Sequence, residues 1–178
     1  MAQLTLVLGG MRSGKSRFAE ELARTAPPVT YLATAVAGDA EMSQRIVWHR
    51  QRRAQYRPAW QCVEEPWHIT EAIRTHGKTG CVLLDCLTLW ITNMLLGSPA
   101  QPGLSDAEIL AEADVLADAA RTVPSRVIVV SSEVGCGIIP VDALARRFAD
   151  LLGEANQRLA AAAAEVHVCL AGLPLRIK

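Results

Sequence analysis

The chain has 178 residues, 51% of them apolar and only 4% aromatic, and its 18 basic residues balance 18 acidic ones. That length supports one domain over residues 1–178 with an aliphatic core. Zero formal charge argues against nucleic acid or an anionic membrane as main partner, and no apolar run is long enough to cross a bilayer.

The first element is an apolar run, Leu4 to Leu8, which reads as a buried strand. It starts too early to leave room for a signal peptide, so a cytoplasmic protein is expected. It leads into Gly9-Gly10-Met11-Arg12-Ser13-Gly14-Lys15-Ser16, a full match to the phosphate-loop pattern G-x-x-x-x-G-K-[ST]. Glycines let backbone N–H groups crowd a polyphosphate without a Cβ clash. The helical pattern that follows, Arg17 to Arg24, adds the positive end of a helix dipole. Lys15 is expected on the β- and γ-phosphates and the Ser16 hydroxyl on Mg²⁺.

Four further apolar runs read as strands: Val29–Ala33, Cys81–Asp85, Val127–Ser131 and Val166–Ala171. None alternates cleanly, which predicts a parallel sheet covered on both faces. Helical patterns span Ala40–Arg53, Pro66–Thr75, Leu87–Leu96, Asp106–Arg121 and Asp142–Glu165. Ser105 and Glu108 form a capping signature for the fourth, and Pro124 follows its end. Gly97–Gly103 reads as a loop. Strands alternating with helices give an α/β, P-loop NTPase-like fold. Five scattered cysteines (Cys62, Cys81, Cys86, Cys136, Cys169) make no C-x-x-C pair and read as reduced thiols, most of them small core residues.

Two features extend the phosphate site. The strand Cys81–Asp85 ends in a carboxylate, the position from which P-loop proteins hold Mg²⁺; a turn or cap role for Asp85 is the alternative. Ser131-Ser132-Glu133 ends another strand at the same sheet edge. Then Arg45, His49, Arg52 and Arg53 share one helical face. That face is either solvated or a phosphate clamp, since arginine pairs bidentately with phosphate. Flanking arginines also oppose protonation of His49 and keep its imidazole nucleophilic. His68 and His76 sit at helix ends and His167 in a strand. No two histidines have zinc-ligand spacing.

These residues resemble the bifunctional adenosylcobinamide kinase/adenosylcobinamide-phosphate guanylyltransferase family of cobalamin biosynthesis. The phosphate loop is similar to the family's GGxRSGKS. Ala33-Thr34-Ala35 with Asp39, Glu41-Met42 and Arg45-Ile46 is similar to ATA…D-x-EM-x-x-RI, and His49-Arg50 to its HR pair. Trp60 with Glu64-Glu65-Pro66, Leu83 to Thr88 with Thr92-Asn93, Ser132 to Pro140, and Asn156 to Ala160 match later blocks. The segment from His49 to Trp60 is about three residues longer than the family spacing, as loops tolerate, so either Arg53 or Arg57 takes the family's arginine position. Residue 48 is Trp, so no neighbouring histidine could substitute as nucleophile.

The resemblance implies two reactions: a triphosphate phosphorylates the aminopropanol hydroxyl of adenosylcobinamide, then GTP guanylylates His49 and the phosphorylated corrinoid displaces GMP. It also implies nucleotide contacts from the loop residues, Ala33, Thr34, Ala35, Arg45, Arg50, Gln51, Arg52, Arg53, Glu64 and Asp85, with Mg²⁺ on Ser16 and Asp85. The family assembles as a trimer, so a homo-oligomer is expected. Beside this reading stand a plain P-loop kinase of a small metabolite, which needs only the loop, Asp85 and a positioned hydroxyl, and a nucleotide-gated binding protein.

Overall fold

A computed structural model of the chain describes residues 4–36, 44, 47, 51 and 60–178. The described strands are β1 (Leu4–Gly9), β2 (Val29–Ala33), β3 (Gln61–Glu64), β4 (Cys81–Asp85), β5 (Arg126–Ser132), β6 (Glu165–Leu170) and β7 (Leu173–Arg176). They form one sheet in the order β3-β2-β4-β5-β1-β6-β7. Every neighbouring pair is parallel except the β6–β7 hairpin. The described helices are α1 (Lys15–Ala23), α2 (Ile69–His76), α3 (Leu87–Leu96), α4 (Asp106–Thr122) and α5 (Ala143–Ala162).

The unbroken apolar strands follow from two covered faces. Leu6, Leu8, Val82, Leu84, Val127 and Val129 point to one side, against Ile69, Ile73, Trp90, Ile109, Leu116 and Leu159 of α2 to α5. The intervening Val7, Leu83, Ile128 and Val130 point to the other, against Phe18, Ala19, Leu22 and Ala23 of α1. Alternation along each strand therefore splits the core into two clusters, one per face.

Sequence and structure differ in three places. Two strands lie outside the apolar runs: β3 is largely exposed and β7 fully so, so neither carries the burial signal. The second helix starts at Ile69 rather than Pro66; just before it, the Glu65 carboxylate accepts from the N–H groups of Trp67 and His68. The last helix is shorter than Asp142–Glu165. Asp142 is its N-cap, accepting from the Ala145 N–H at 2.8 Å, and Glu165 already belongs to β6. Cys81 and Cys169 are buried and the half-buried Cys86 packs against the same core cluster, whereas Cys62 and Cys136 are exposed, so three of the five cysteines are core residues and two are not. The Ser105–Glu108 capping box is present as expected, the Ser105 N–H donating to Glu108 Oε2 at 2.8 Å. The helix expected over Ala40–Arg53 lies mostly outside the described residues; Gln44, Val47 and Gln51 are helical.

Candidate active site

The strand register gathers the candidate residues at one edge. Ala33 stands opposite both Asp85 and Glu64, and Gly9 opposite Ser132. In a parallel sheet these carboxyl ends face the side where α/β folds bind ligands.

The phosphate loop leaves β1 at Gly9 and enters α1 at Lys15. Gly14 caps that helix in the left-handed region, with φ of 91° and no side-chain hydrogen bond. The first N–H groups of α1 thus keep no side-chain cap at Gly14 and are available to an anion. Gly14 is required for a second reason: a Cβ there would sit 3.0 Å from the Gly172 Cα. Gly172, in the β6–β7 turn, buttresses the loop by donating its N–H to the Ser13 carbonyl at 2.9 Å. The Lys15 ammonium lies across the loop and donates to the Gly10 carbonyl at 3.1 Å. Met11 and Arg12 are exposed at the tip and Ser13 is buried.

Asp85 ends β4 beside the loop. The Ser16 hydroxyl donates to its Oδ1 at 3.5 Å, and the Tyr31 hydroxyl to its Oδ2 at 2.7 Å. Hard oxygen donors of this kind suit Mg²⁺. Among the described residues no group of three or more His, Cys, Asp or Glu gathers around a metal. A magnesium ion here would complete its shell with phosphate oxygens and water, as is usual for nucleotide sites. The pair therefore fits the ion that the motif implies.

The β2 end is braced rather than open. The Thr34 hydroxyl donates to the Cys86 carbonyl at 2.8 Å and accepts from the Cys86 N–H at 2.9 Å. Asn93 on α3 donates through Nδ2 to the carbonyls of Thr34 and Pro66, each at 3.0 Å. The Thr88 hydroxyl accepts from the Ser132 N–H at 2.7 Å, and Asn156 donates to the Ser132 carbonyl at 3.1 Å. The Glu133 N–H donates to the Gly9 carbonyl at 3.1 Å. These bonds tie the ends of β2, β4, β5 and β1 into one rim. Cys86 contributes no rival nucleophile: burial, reinforced by the Asp85 charge, pushes its thiol up to about 11.

The structure thus brings Ser16 of the phosphate loop to Asp85, and the register sets Ala33 and Glu64 level with Asp85 along the same carboxyl edge, with Thr34 and Ala35 following Ala33. Gln51 is helical and exposed. Arg45, His49, Arg50, Arg52, Arg53 and Arg57 lie outside the described residues. The other histidines serve local structure: His68 and His76 bound α2, and His167 packs edge-on against Phe18 with ring centroids 5.0 Å apart. Sequence reasoning assigned no role to Tyr31 or Asn93; a tyrosine two residues before a strand end was the available signal for the first.

An open phosphate cradle, a lysine and a strand-end acid facing a loop serine define a P-loop nucleotide-binding protein. The family model for cobinamide kinase/cobinamide phosphate guanyltransferase (CobU) matches residues 5–177, and the chain belongs to that family. It is 42% identical over 175 residues to the bifunctional adenosylcobalamin biosynthesis protein CobP of Pseudomonas aeruginosa, covering 97% of this chain and 96% of that one. It is 40% identical over 183 residues to the CobU protein of Escherichia coli, covering 98% and 99%. Among solved structures, an ATPase from the type III secretion system of pathogenic bacteria aligns with a TM-score of 0.55 at 13% identity, over 94% of this chain and 51% of that one. The P4 protein from bacteriophage phi6 in complex with ADP aligns with a TM-score of 0.50 at 15% identity, over 97% and 54%. The chain spans about half of each of these two structures, and the likeness shows the fold alone.

Proposed function

We propose that this chain performs both reactions of its family at a single nucleotide site: phosphorylation of the cobinamide aminopropanol hydroxyl, then transfer of GMP from GTP to the phosphorylated corrinoid. The observation that carries the reading is the ordered phosphate loop facing Asp85 in a chain at least 40% identical, end to end, to bifunctional relatives. In the first step the corrinoid hydroxyl attacks the γ-phosphorus, loses its proton and expels the diphosphate. In the second the His49 imidazole attacks the α-phosphorus of GTP and pyrophosphate leaves. A phosphate oxygen of the corrinoid then attacks the same phosphorus, and the P–N bond breaks to free His49.

The loop N–H groups and Lys15 neutralise the charge that builds on the phosphoryl oxygens. Ser16 and Asp85 would hold Mg²⁺, which supplies further charge neutralisation when bound. Arg45, Arg50, Gln51, Arg52 and Arg53 are assigned to the triphosphate, with His49 as nucleophile, on the sequence pattern and the family match. Ala33, Thr34, Ala35 and Glu64 are assigned to the nucleotide on the family match, and the pairing of Ala33 with Asp85 and Glu64 at one carboxyl edge supports that reading. The proposal takes residues 1–178 as one domain, supported by the single sheet. It includes a cytoplasmic setting; no described helix is long and apolar enough to cross a membrane. It also includes self-assembly, with the exposed Leu173 and Leu175 on the edge strand β7 and Ile177 just after it as apolar surface that a second copy could cover; the trimeric number rests on the family alone. Incubation with α-labelled GTP followed by denaturation tests the two-step reading. Covalent label released by phosphorylated cobinamide as cobinamide-GDP is expected. Nucleotide hydrolysis without protein-bound label would leave a simple kinase or a binding protein.

A further inference from the structure

Tyr31 is 3% exposed and lies on β2 opposite Leu83, two residues before Ala33, which stands opposite Asp85. Side chains alternate along a strand, so Tyr31, Ala33, Leu83 and Asp85 share the face covered by α1. The small Ala33 leaves space beside Asp85, and the Tyr31 ring reaches diagonally into it. Its hydroxyl donates to Asp85 Oδ2 at 2.7 Å, while Oδ1 faces the Ser16 hydroxyl at 3.5 Å. The other side of the ring environment is Trp60, stacked at 6.4 Å between centroids with 23° between planes.

Packing alone does not need the hydroxyl, since phenylalanine fills almost the same volume. What the hydroxyl adds is direction. The terminal torsion of aspartate is broad and nearly two-fold, so a carboxylate held only by the long Ser16 contact would be free to turn. A short bond to Oδ2 keeps Oδ1 aimed at Ser16. We propose that Tyr31 is a positioning residue for the metal: its hydroxyl orients the Asp85 carboxylate so that Asp85 Oδ1 and Ser16 Oγ are presented together to the divalent cation of a metal–nucleotide complex. The inference rests on the reading of Ser16 and Asp85 as the metal pair.

The test is a manganese titration followed by electron paramagnetic resonance, on the full chain with a non-hydrolysable GTP analogue. Parent, Tyr31→Phe, Asp85→Asn and the double variant are compared. Tyr31→Phe is expected to weaken Mn²⁺ binding about tenfold, the scale of one hydrogen bond to a charged group. Its thermal midpoint and its metal-free nucleotide affinity are expected to stay near the parent values. Its turnover is expected to need more Mg²⁺ yet to reach the parent rate at saturating metal. Adding Tyr31→Phe to Asp85→Asn is expected to cost nothing further. Parent-like Mn²⁺ affinity in Tyr31→Phe, with Asp85→Asn impaired, would show that the phenol only packs. A loss in Tyr31→Phe that persists undiminished in the Asp85→Asn background, or that falls on metal-free nucleotide binding and stability alike, would also overturn the inference. Parent-like affinity in Asp85→Asn would instead remove the metal pair itself, and the inference with it.

Discussion

The two halves of the site rim are built to opposite ends. On the β1 and α1 side the polar groups are loosely held: Lys15 rests on a loop carbonyl, the Ser16 contact to Asp85 is long, and α1 has no side-chain cap at Gly14. On the β2 and α3 side Thr34 and Asn93 spend their hydrogen bonds on the backbone. The first arrangement leaves donors for a ligand. The second holds the frame that keeps them in place. Substitutions on the two sides should therefore fail in different ways, one in chemistry and the other in stability.

Lys15→Ala is expected to have the largest effect. With one phosphate loop serving both reactions, each half-reaction should fall by about two to three orders of magnitude, the cost of losing one donor to transition-state charge. The thermal midpoint should barely move. The two half-reactions are to be measured separately: guanylylation that survives while phosphorylation is lost would require a second nucleotide site.

Asn93→Ala reverses the pattern. It removes both bonds from the half-buried amide and should cost about 2 kcal/mol, read by urea unfolding. Nucleotide binding in the folded fraction should persist. Unaltered stability would break the contrast between the two sides.

Ser105→Ala acts on neither side of the rim, at the cap of α4. About 1 kcal/mol of stability should be lost, with both reactions intact. The Ser105 hydroxyl and N–H hold the Glu108 carboxyl below the usual glutamate range. A depressed acid stabilises the fold above its unfolded-state value and loses that contribution as pH falls through its folded-state value. The gap between parent and variant should therefore narrow as pH drops below the usual glutamate value, leaving the part due to the neutral hydroxyl cap. A gap that stays constant into acid would mean that the ionised cap contributes nothing.

Thiol alkylation gives the smallest effect. At pH 8 iodoacetamide should label the exposed Cys62 and Cys136. It should spare Cys81 and Cys86, whose burial pushes their thiols up to about 12 and about 11. Rapid labelling of Cys86 in the native protein would show the rim to be more open than its hydrogen bonds indicate.

Much of this architecture was legible in the residues. The central strands announce themselves because both of their faces are buried, so each is an apolar run, and the phosphate loop is a local motif in which neighbouring residues carry the chemistry. Asp85 was legible because it stands at a strand end. The strands at the two edges were not, because Gln61–Glu64 and Leu173–Arg176 are exposed and gain their pairing from a neighbour rather than from burial. Tyr31 and Asn93 were also silent as to role. Their partners lie 54, 59 and 27 positions away, and only the register of β2 on β4 and the docking of α3 bring them together.

A covalent guanylyl-histidine at His49 would leave a bond that can be mapped. Parent and His49→Ala proteins are incubated with α-labelled GTP and Mg²⁺, denatured, digested and mapped by mass spectrometry. GMP is expected on the peptide bearing His49, labile in acid and stable in base as a phosphorus–nitrogen bond should be. No label is expected in His49→Ala, although that variant should still bind nucleotide. Label retained by His49→Ala, or mapped to His68 or to a lysine, would rule out His49 as the nucleophile.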